Sequence, residues 1–293
     1  MSLPIKQTSV FVSVDEQQLH MRHIFADCDA EQKRPAPILM VHGAIENGRI
    51  FYTESGKGLA CFLARHGFDV YVMDMRGRGK STPTLNGQSD YGQRETICTD
   101  IPACIDFIYQ HHAEPLHFIC HSWGGVLVAS LLARFPQYID KVRSQVCFGT
   151  KRSIYQQNLE KWLKVDLIWN RIAPLLAKKH GFFDAKRFNI GADSESQKSL
   201  ADSVAWVKKG PWRDRQDGFD YFAAAQSTPW PATWHLTGIN DSILGHKDDV
   251  QRFIKECNIS HAKFTLLAKK YGNLVDYDHN NILTQPKDNQ SRH

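Results

Sequence analysis

The sequence predicts an α/β protein: a mostly parallel central sheet flanked by helices, with a helical insert after the sixth core strand. Three observations carry this reading. Short continuous apolar runs at 38–41 and 70–73 read as strands covered on both faces, an apolar run ending at His121 reads as a third strand, and 142–148 as another. Segments of helical spacing separate them, and strands alternating with helices of this length form a parallel sheet between helical layers. From 151 to 226 the alternation stops and only helical spacing remains. The expected division is a core of residues 1–150 and 227–293 with a helical lid at 151–226.

Taken in order, residues 8–14 alternate, and a polar stretch at Glu16, Gln17 and Gln18 leads into residues 19–25, which is a hairpin signal. Leu59, Phe62 and Leu63 share one face of a helix over 56–67, with Gly67 as its stop. A helix over 95–111 turns Ile97, Ile101, Cys104, Ile105 and Ile108 inward, with Pro102 in its early turns. In the insert, Leu159, Trp162, Leu163, Leu167, Trp169, Ile172, Leu175 and Leu176 follow helical spacing. Strands at 232–237 and 262–267 resume the sheet around a helix at 246–256. The last ten residues are expected to fray.

Composition excludes several function classes. A chain of 293 residues buries ~75% of its unfolded surface and needs no covalent staples. Its seven cysteines form no C-x-x-C pair and no zinc-type spacing, and several sit in apolar stretches. They read as reduced thiols of a cytoplasmic protein. The first 14 residues lack a basic region followed by a long apolar run, so no signal peptide is expected. No 18-residue apolar run is present to span a membrane. The net charge of +5 comes without a basic stripe or a known module, so no nucleic-acid partner is expected. The insert carries 14 Lys/Arg against 9 Asp/Glu, the whole excess of the chain.

Metals and nucleotides are likewise not expected. His111 and His112 end a helix without partners, and no H-E-x-x-H occurs. The string Gly77-Arg78-Gly79-Lys80-Ser81 suggests a phosphate loop, but that motif needs glycine five places before Gly79, where Asp74 stands. No cofactor is called for.

The chemistry concentrates at His121-Ser122-Trp123-Gly124-Gly125, where an apolar strand ends and a helical run begins at once. This nearly matches G-x-S-x-G, a strained strand-to-helix turn that exposes a serine hydroxyl at the top of a sheet. Cys120 replaces the first glycine; it is small, so the turn is expected to tolerate it. A serine is a weak nucleophile without a base and an orienting acid. Asp241 directly follows the strand at 232–237, at the sheet edge where α/β sites form. His279 follows the last strand by a short loop. Asp276 and Asp278 compete for the acid, and His246 and His261 for the base. The order Ser122, Asp241, His279 is the serine–acid–histidine order of one class of triad enzymes.

These pieces, with His42-Gly43-Ala44, Asp74-x-Arg76-Gly77-x-Gly79-x-Ser81 and Asp276-Tyr277-Asp278-His279, resemble the α/β-hydrolases of the monoglyceride-lipase and lysophospholipase group, with acid-lipase-like features, over about residues 36–283. The resemblance implies Ser122 as nucleophile, His279 as general base and Asp241 as acid, with the backbone N–H groups of Ala44 and Trp123 as oxyanion hole. It implies a serine hydrolase of carboxylic esters working through an acyl-enzyme, on a small acyl ester of lipid-like character. Thioester hydrolysis or acyl transfer on the same triad, or a non-catalytic ligand-binding member of the fold, are the alternatives. Relatives close with a longer amphipathic helix after the histidine; here residues 280–283 lead into a polar tail, which leaves the support of the His279 loop to be found elsewhere.

Overall fold

The computed structural model describes residues 3–29 and 33–284. Of the ten terminal residues expected to fray, 285–293 lie outside that range. Six strands precede the insert: β1 (Ile5–Val14), β2 (Gln17–Ala26), β3 (Ile38–Val41), β4 (Val70–Met73), β5 (Leu116–His121) and β6 (Val142–Phe148). Two short strands, β7 (Phe182–Phe183) and β8 (Glu195–Ser196), pair antiparallel inside the insert, where only helix was expected. β9 (Ala232–Gly238) and β10 (Lys263–Leu267) complete the central sheet.

That sheet runs β1-β2-β4-β3-β5-β6-β9-β10. It is parallel from β4 through β10, and the β1–β2 hairpin joins antiparallel at the β4 edge. The period of two along a strand sends successive side chains to opposite faces. Leu39, Val41, Phe118 and Cys120 join one buried cluster with the helices at 93–112, Trp123–Arg134 and Lys247–Glu256. Ile38, Met40, Val72 and Ile119 join the other with the helix Leu59–Arg65. Both faces are covered, which is why these strands read as unbroken apolar runs rather than alternating ones.

The helix at 93–112 buries Ile97, Ile101, Cys104, Ile105 and Ile108 completely, as its spacing predicts. Around Pro102, which has no N–H to give, the ladder widens: the Ile101 N–H bonds the Thr96 carbonyl, five residues back. The helix Leu59–Arg65 differs from expectation. Its inward face is Ala60, Cys61 and Ala64, while Phe62 is 56% exposed.

The helical run of the insert from 159 to 180 departs further. Between Trp162 and Ile172 it is wound with i→i+5 hydrogen bonds, shown where the Ala173 N–H meets the Ile168 carbonyl. The wider turn splits the apolar residues into two faces. Val165, Ala173 and Ala177 are buried, whereas Leu159, Trp162, Leu163, Ile172 and Leu175 are exposed. Among the described residues no helix is long and apolar enough to cross a membrane.

Candidate active site

Ser122 sits between the end of β5 and the helix Trp123–Arg134, with φ 49° and ψ −118°. A non-glycine residue in this region is strained, and the surroundings must hold it there. They do so through close packing. A β-carbon on Gly124 would lie 2.4 Å from the Val41 carbonyl oxygen, and one on Gly125 would lie 2.3 Å from Thr150 Oγ1. Both glycines are therefore required by the turn. Cys120 is not in that position: it is fully buried on one sheet face, in register with Cys147 on β6, and burial raises its thiol pKa. The first residue of the box points into core packing, so cysteine fits.

The sequence candidates for base and acid come together at Ser122. The Ser122 hydroxyl lies 2.9 Å from His279 Nε2, and His279 Nδ1 lies 2.6 Å from Asp241 Oδ2. The carboxylate fixes the tautomer: Nδ1–H donates to Asp241, leaving Nε2 to accept from Ser122. Asp241 is also held by the Gly245 N–H at 2.8 Å on its other oxygen. Burial depresses the His279 pKa below its usual 6.5, against the pull of Asp241. Burial pushes Asp241 upward, but the imidazole and the Gly245 N–H outweigh it and its pKa falls. The imidazole is thus neutral and the Asp241 carboxylate ionised near neutral pH.

The rivals lie elsewhere. Asp276 Oδ1 accepts from the Lys269 N–H, and Asp278 Oδ1 accepts from the Asn280 and Asn281 N–H groups. His246 caps the helix Lys247–Glu256, and His261 meets the Pro231 carbonyl. Ala44 and Trp123 flank the serine on two sides, since a β-carbon on the adjacent Gly43 would lie 3.0 Å from Ser122 Cβ. Neither backbone N–H has a hydrogen-bond partner among the described residues.

Two polar pairs that motif reading did not single out brace this arrangement. His121 is fully buried; its Nδ1 lies 2.8 Å from Glu46 Oε2 and its Nε2 lies 3.0 Å from the His279 carbonyl. Both partners are acceptors, so both bonds form only when His121 is an imidazolium. Burial disfavours that form, but the Glu46 carboxylate overrides it and the His121 pKa rises. Burial likewise opposes the Glu46 charge, yet His121 draws its pKa down to about 2. Glu46 also accepts the Gly43 N–H at 2.7 Å. One ion pair thus ties the Gly43–Glu46 loop, the serine turn and the His279 backbone together. The segment after His279 adds a second anchor, since Leu283 is buried in the cluster with Ile38 and Met40.

The second brace comes from the insert. Glu195 Oε1 accepts the Ile45 N–H at 3.0 Å, and its other oxygen pairs with buried Arg78, which also donates to the Gly43 carbonyl. Asp193 accepts from the Gly79 N–H and from Asn47 Nδ2, each at 2.8 Å. The 76–81 loop is therefore a packing device, as its arginines also show: Arg76 pairs with buried Asp100.

Glu46→Gln tests the first brace. Breaking a buried pair from one side costs ~3 kcal/mol. The Glu46 contribution is present above its unfolded pKa of 4.5 and lost as pH falls toward 2; that of His121 is present below its unfolded 6.5 and lost as pH rises through its higher folded value. The stability gap between wild type and variant, measured by urea unfolding, should peak between pH 4.5 and 6.5. A gap that is flat with pH contradicts the pairing.

A family model described as serine aminopeptidase, S33, matches residues 32–271, which include Ser122 and Asp241. The bifunctional esterase/perhydrolase DCH of Acinetobacter calcoaceticus is 24% identical over 239 residues, 81% of this chain and 71% of that protein. Three further curated relatives match over only 14% to 27% of their own length. Among solved structures, a soluble variant of monoglyceride lipase from Saccharomyces cerevisiae superposes with a TM-score of 0.66 at 16% identity, covering 94% of this chain and 89% of that one. The thioesterase domain of the curacin biosynthetic pathway gives 0.57 at 16% identity, over 94% of both chains. At that identity the structural likeness speaks for the fold, and the family match speaks for descent. The chain is a member of the S33 serine aminopeptidase family, built on the α/β-hydrolase fold.

Proposed function

We propose that this chain hydrolyses carboxylic esters through an acyl-enzyme formed on Ser122. The observation that carries the reading is the unbroken hydrogen-bond chain Ser122–His279–Asp241 on a strained turn. His279 Nε2 takes the hydroxyl proton as Ser122 Oγ attacks the ester carbonyl. The Ala44 and Trp123 N–H groups receive the negative charge of the tetrahedral intermediate, a contribution of ~100- to 1000-fold in rate per donor. His279 then protonates the leaving alcohol, and water repeats the sequence to release the acid. Asp241 keeps the imidazole in its productive tautomer and stabilises the imidazolium. The relatives include an esterase and a lipase by name, which favours acyl esters as the substrate class.

The insert at 151–226 serves as the lid of this site in our reading, its start tethered to the acid loop through Asn158 Nδ2 and the Ser242 carbonyl. Seven unpaired thiols suit a reducing cytoplasm.

Labelling by a fluorophosphonate probe, followed by a panel of esters of increasing acyl length, tests the proposal; absence of a Ser122 adduct overturns it. A pH profile adds a second check. Because His279 must be unprotonated and its pKa lies below 6.5, kcat/KM should rise with pH through an apparent pKa under 6.5 and then level. An inflection well above 6.5 would contradict the assigned base.

A further inference from the structure

Lys151 opens the insert, two residues after Gly149. A β-carbon on Gly149 would lie 2.9 Å from the His279 ring, so this stretch of chain forms a wall of the site. Lys151 is only 4% exposed, yet among the described residues its ammonium has neither an ion pair nor a hydrogen bond. The nearby carboxylates are already engaged. Asp241 holds His279 and the Gly245 N–H, and Asp249 accepts the Tyr155 N–H. Burial brings the Lys151 pKa down to about 8, with Asp241 and Asp249 resisting, so the side chain still carries its proton near neutrality. Its stem is buried while its unpaired Nζ keeps contact with solvent, and its charge acts on both His279 and Asp241, so the ammonium stands within reach of a ligand at the triad.

The residue before it repeats the pattern. Thr150 is fully buried, its Oγ1 has no hydrogen-bond partner among the described residues, and it packs on Gly125 in the first turn after Ser122. Two consecutive donors beside the proposed triad therefore lack acceptors. Thr150 is sealed against Gly125, so of the two only the ammonium can meet a ligand, and a neutral acyl chain would leave it unpaired.

We propose that Lys151 receives an anionic group of the substrate, so that the preferred ester carries a carboxylate or a phosphate. The inference rests on Ser122 being the reacting centre and narrows the substrate class for that same site. The lone charge becomes a specificity element: ligand binding completes an ion pair that the free protein lacks. A buried, hydrogen-bonded charge pair discriminates strongly against a partner without the charge, by roughly thirtyfold or more.

The binding arm uses Ser122→Ala protein, which cannot turn over. Monoethyl glutarate and 2-phosphoethyl butyrate are compared with the neutral ethyl 5-oxohexanoate and 3,3-dimethylbutyl butyrate by thermal shift. At least one anionic ester should raise Tm saturably where its neutral counterpart does not, and the arm that responds identifies carboxylate or phosphate. Adding Lys151→Met should abolish the shift. In the otherwise wild-type enzyme, Lys151→Met should bring the anionic-to-neutral ratio of kcat/KM down to about one. The Tm of ligand-free Lys151→Met should match that of wild type, because no ion pair or hydrogen bond of the free protein is lost. No shift with either anion, an unaltered ratio, or a marked fall in Tm would overturn the assignment. Fluorophosphonate labelling of wild type reports on the Ser122 reading by itself, so the two failures are distinguishable.

Discussion

Replacing Ser122 with alanine is expected to lower kcat on 4-nitrophenyl butyrate by ~10⁴- to 10⁶-fold, the range seen when the nucleophile of such a unit is removed. The prediction is this large because nothing else in the site can take over. Trp123 has no nucleophilic atom, and Thr150 lies against Gly125 without a base. The variant should fold normally, since alanine keeps the same β-carbon at φ 49° and the only side-chain bond lost is the one to His279. A matched Tm with collapsed turnover separates loss of chemistry from loss of fold. Residual activity over water of ~10³-fold would remain from the oxyanion hole and binding. Turnover within tenfold of wild type would refute the nucleophile.

Asp241→Asn should cost ~10⁴-fold in kcat, while Asp278→Asn and Asp276→Asn stay within a few-fold of wild type. The asymmetry follows from what each oxygen accepts. Asp241 Oδ1 takes the Gly245 N–H, so an asparagine keeps its carbonyl there and turns its NH₂ toward His279. That donor forces the imidazole into the other tautomer, with Nε2 protonated and unable to accept from Ser122. Asp278 and Asp276 accept only backbone N–H groups of their own loop, which an amide oxygen accepts equally well. If Asp278→Asn proved the crippling variant instead, the acid would have to be reassigned. Stopped-flow measurement of the acylation burst distinguishes this slowed chemistry from weakened binding.

Much of the scaffold was legible in advance because its signal is local. β3 and β4 coincide with the apolar runs 38–41 and 70–73, each strand being covered on both faces. The candidate triad was legible for a related reason. Each member follows a strand end, and a parallel sheet brings such ends to one edge. Packing faces were less legible. Leu59, Phe62 and Leu63 are the more hydrophobic residues of their helix, but the close approach to the sheet selects the small Ala60, Cys61 and Ala64. In the insert, i→i+5 winding places residues differently from the 3.6-residue period that reads them as one face.

The chain by itself determined the sheet, the serine turn and the order of its candidate partners, since strand-forming runs, turn residues and their succession are properties of neighbouring positions. Tertiary structure alone decided the charges. Glu46 and His121 are 75 residues apart, and Glu195 and Ile45 are 150 apart. In the sequence Lys151 is one of the 14 Lys/Arg of the insert, with nothing local to single it out. Whether a carboxylate, an imidazole or an ammonium is ionised depends on its burial and on the partner that folding brings within a few ångströms. Neither quantity is written in any stretch of neighbouring residues, and both are set when the sheet edge, the serine turn and the insert close on one another.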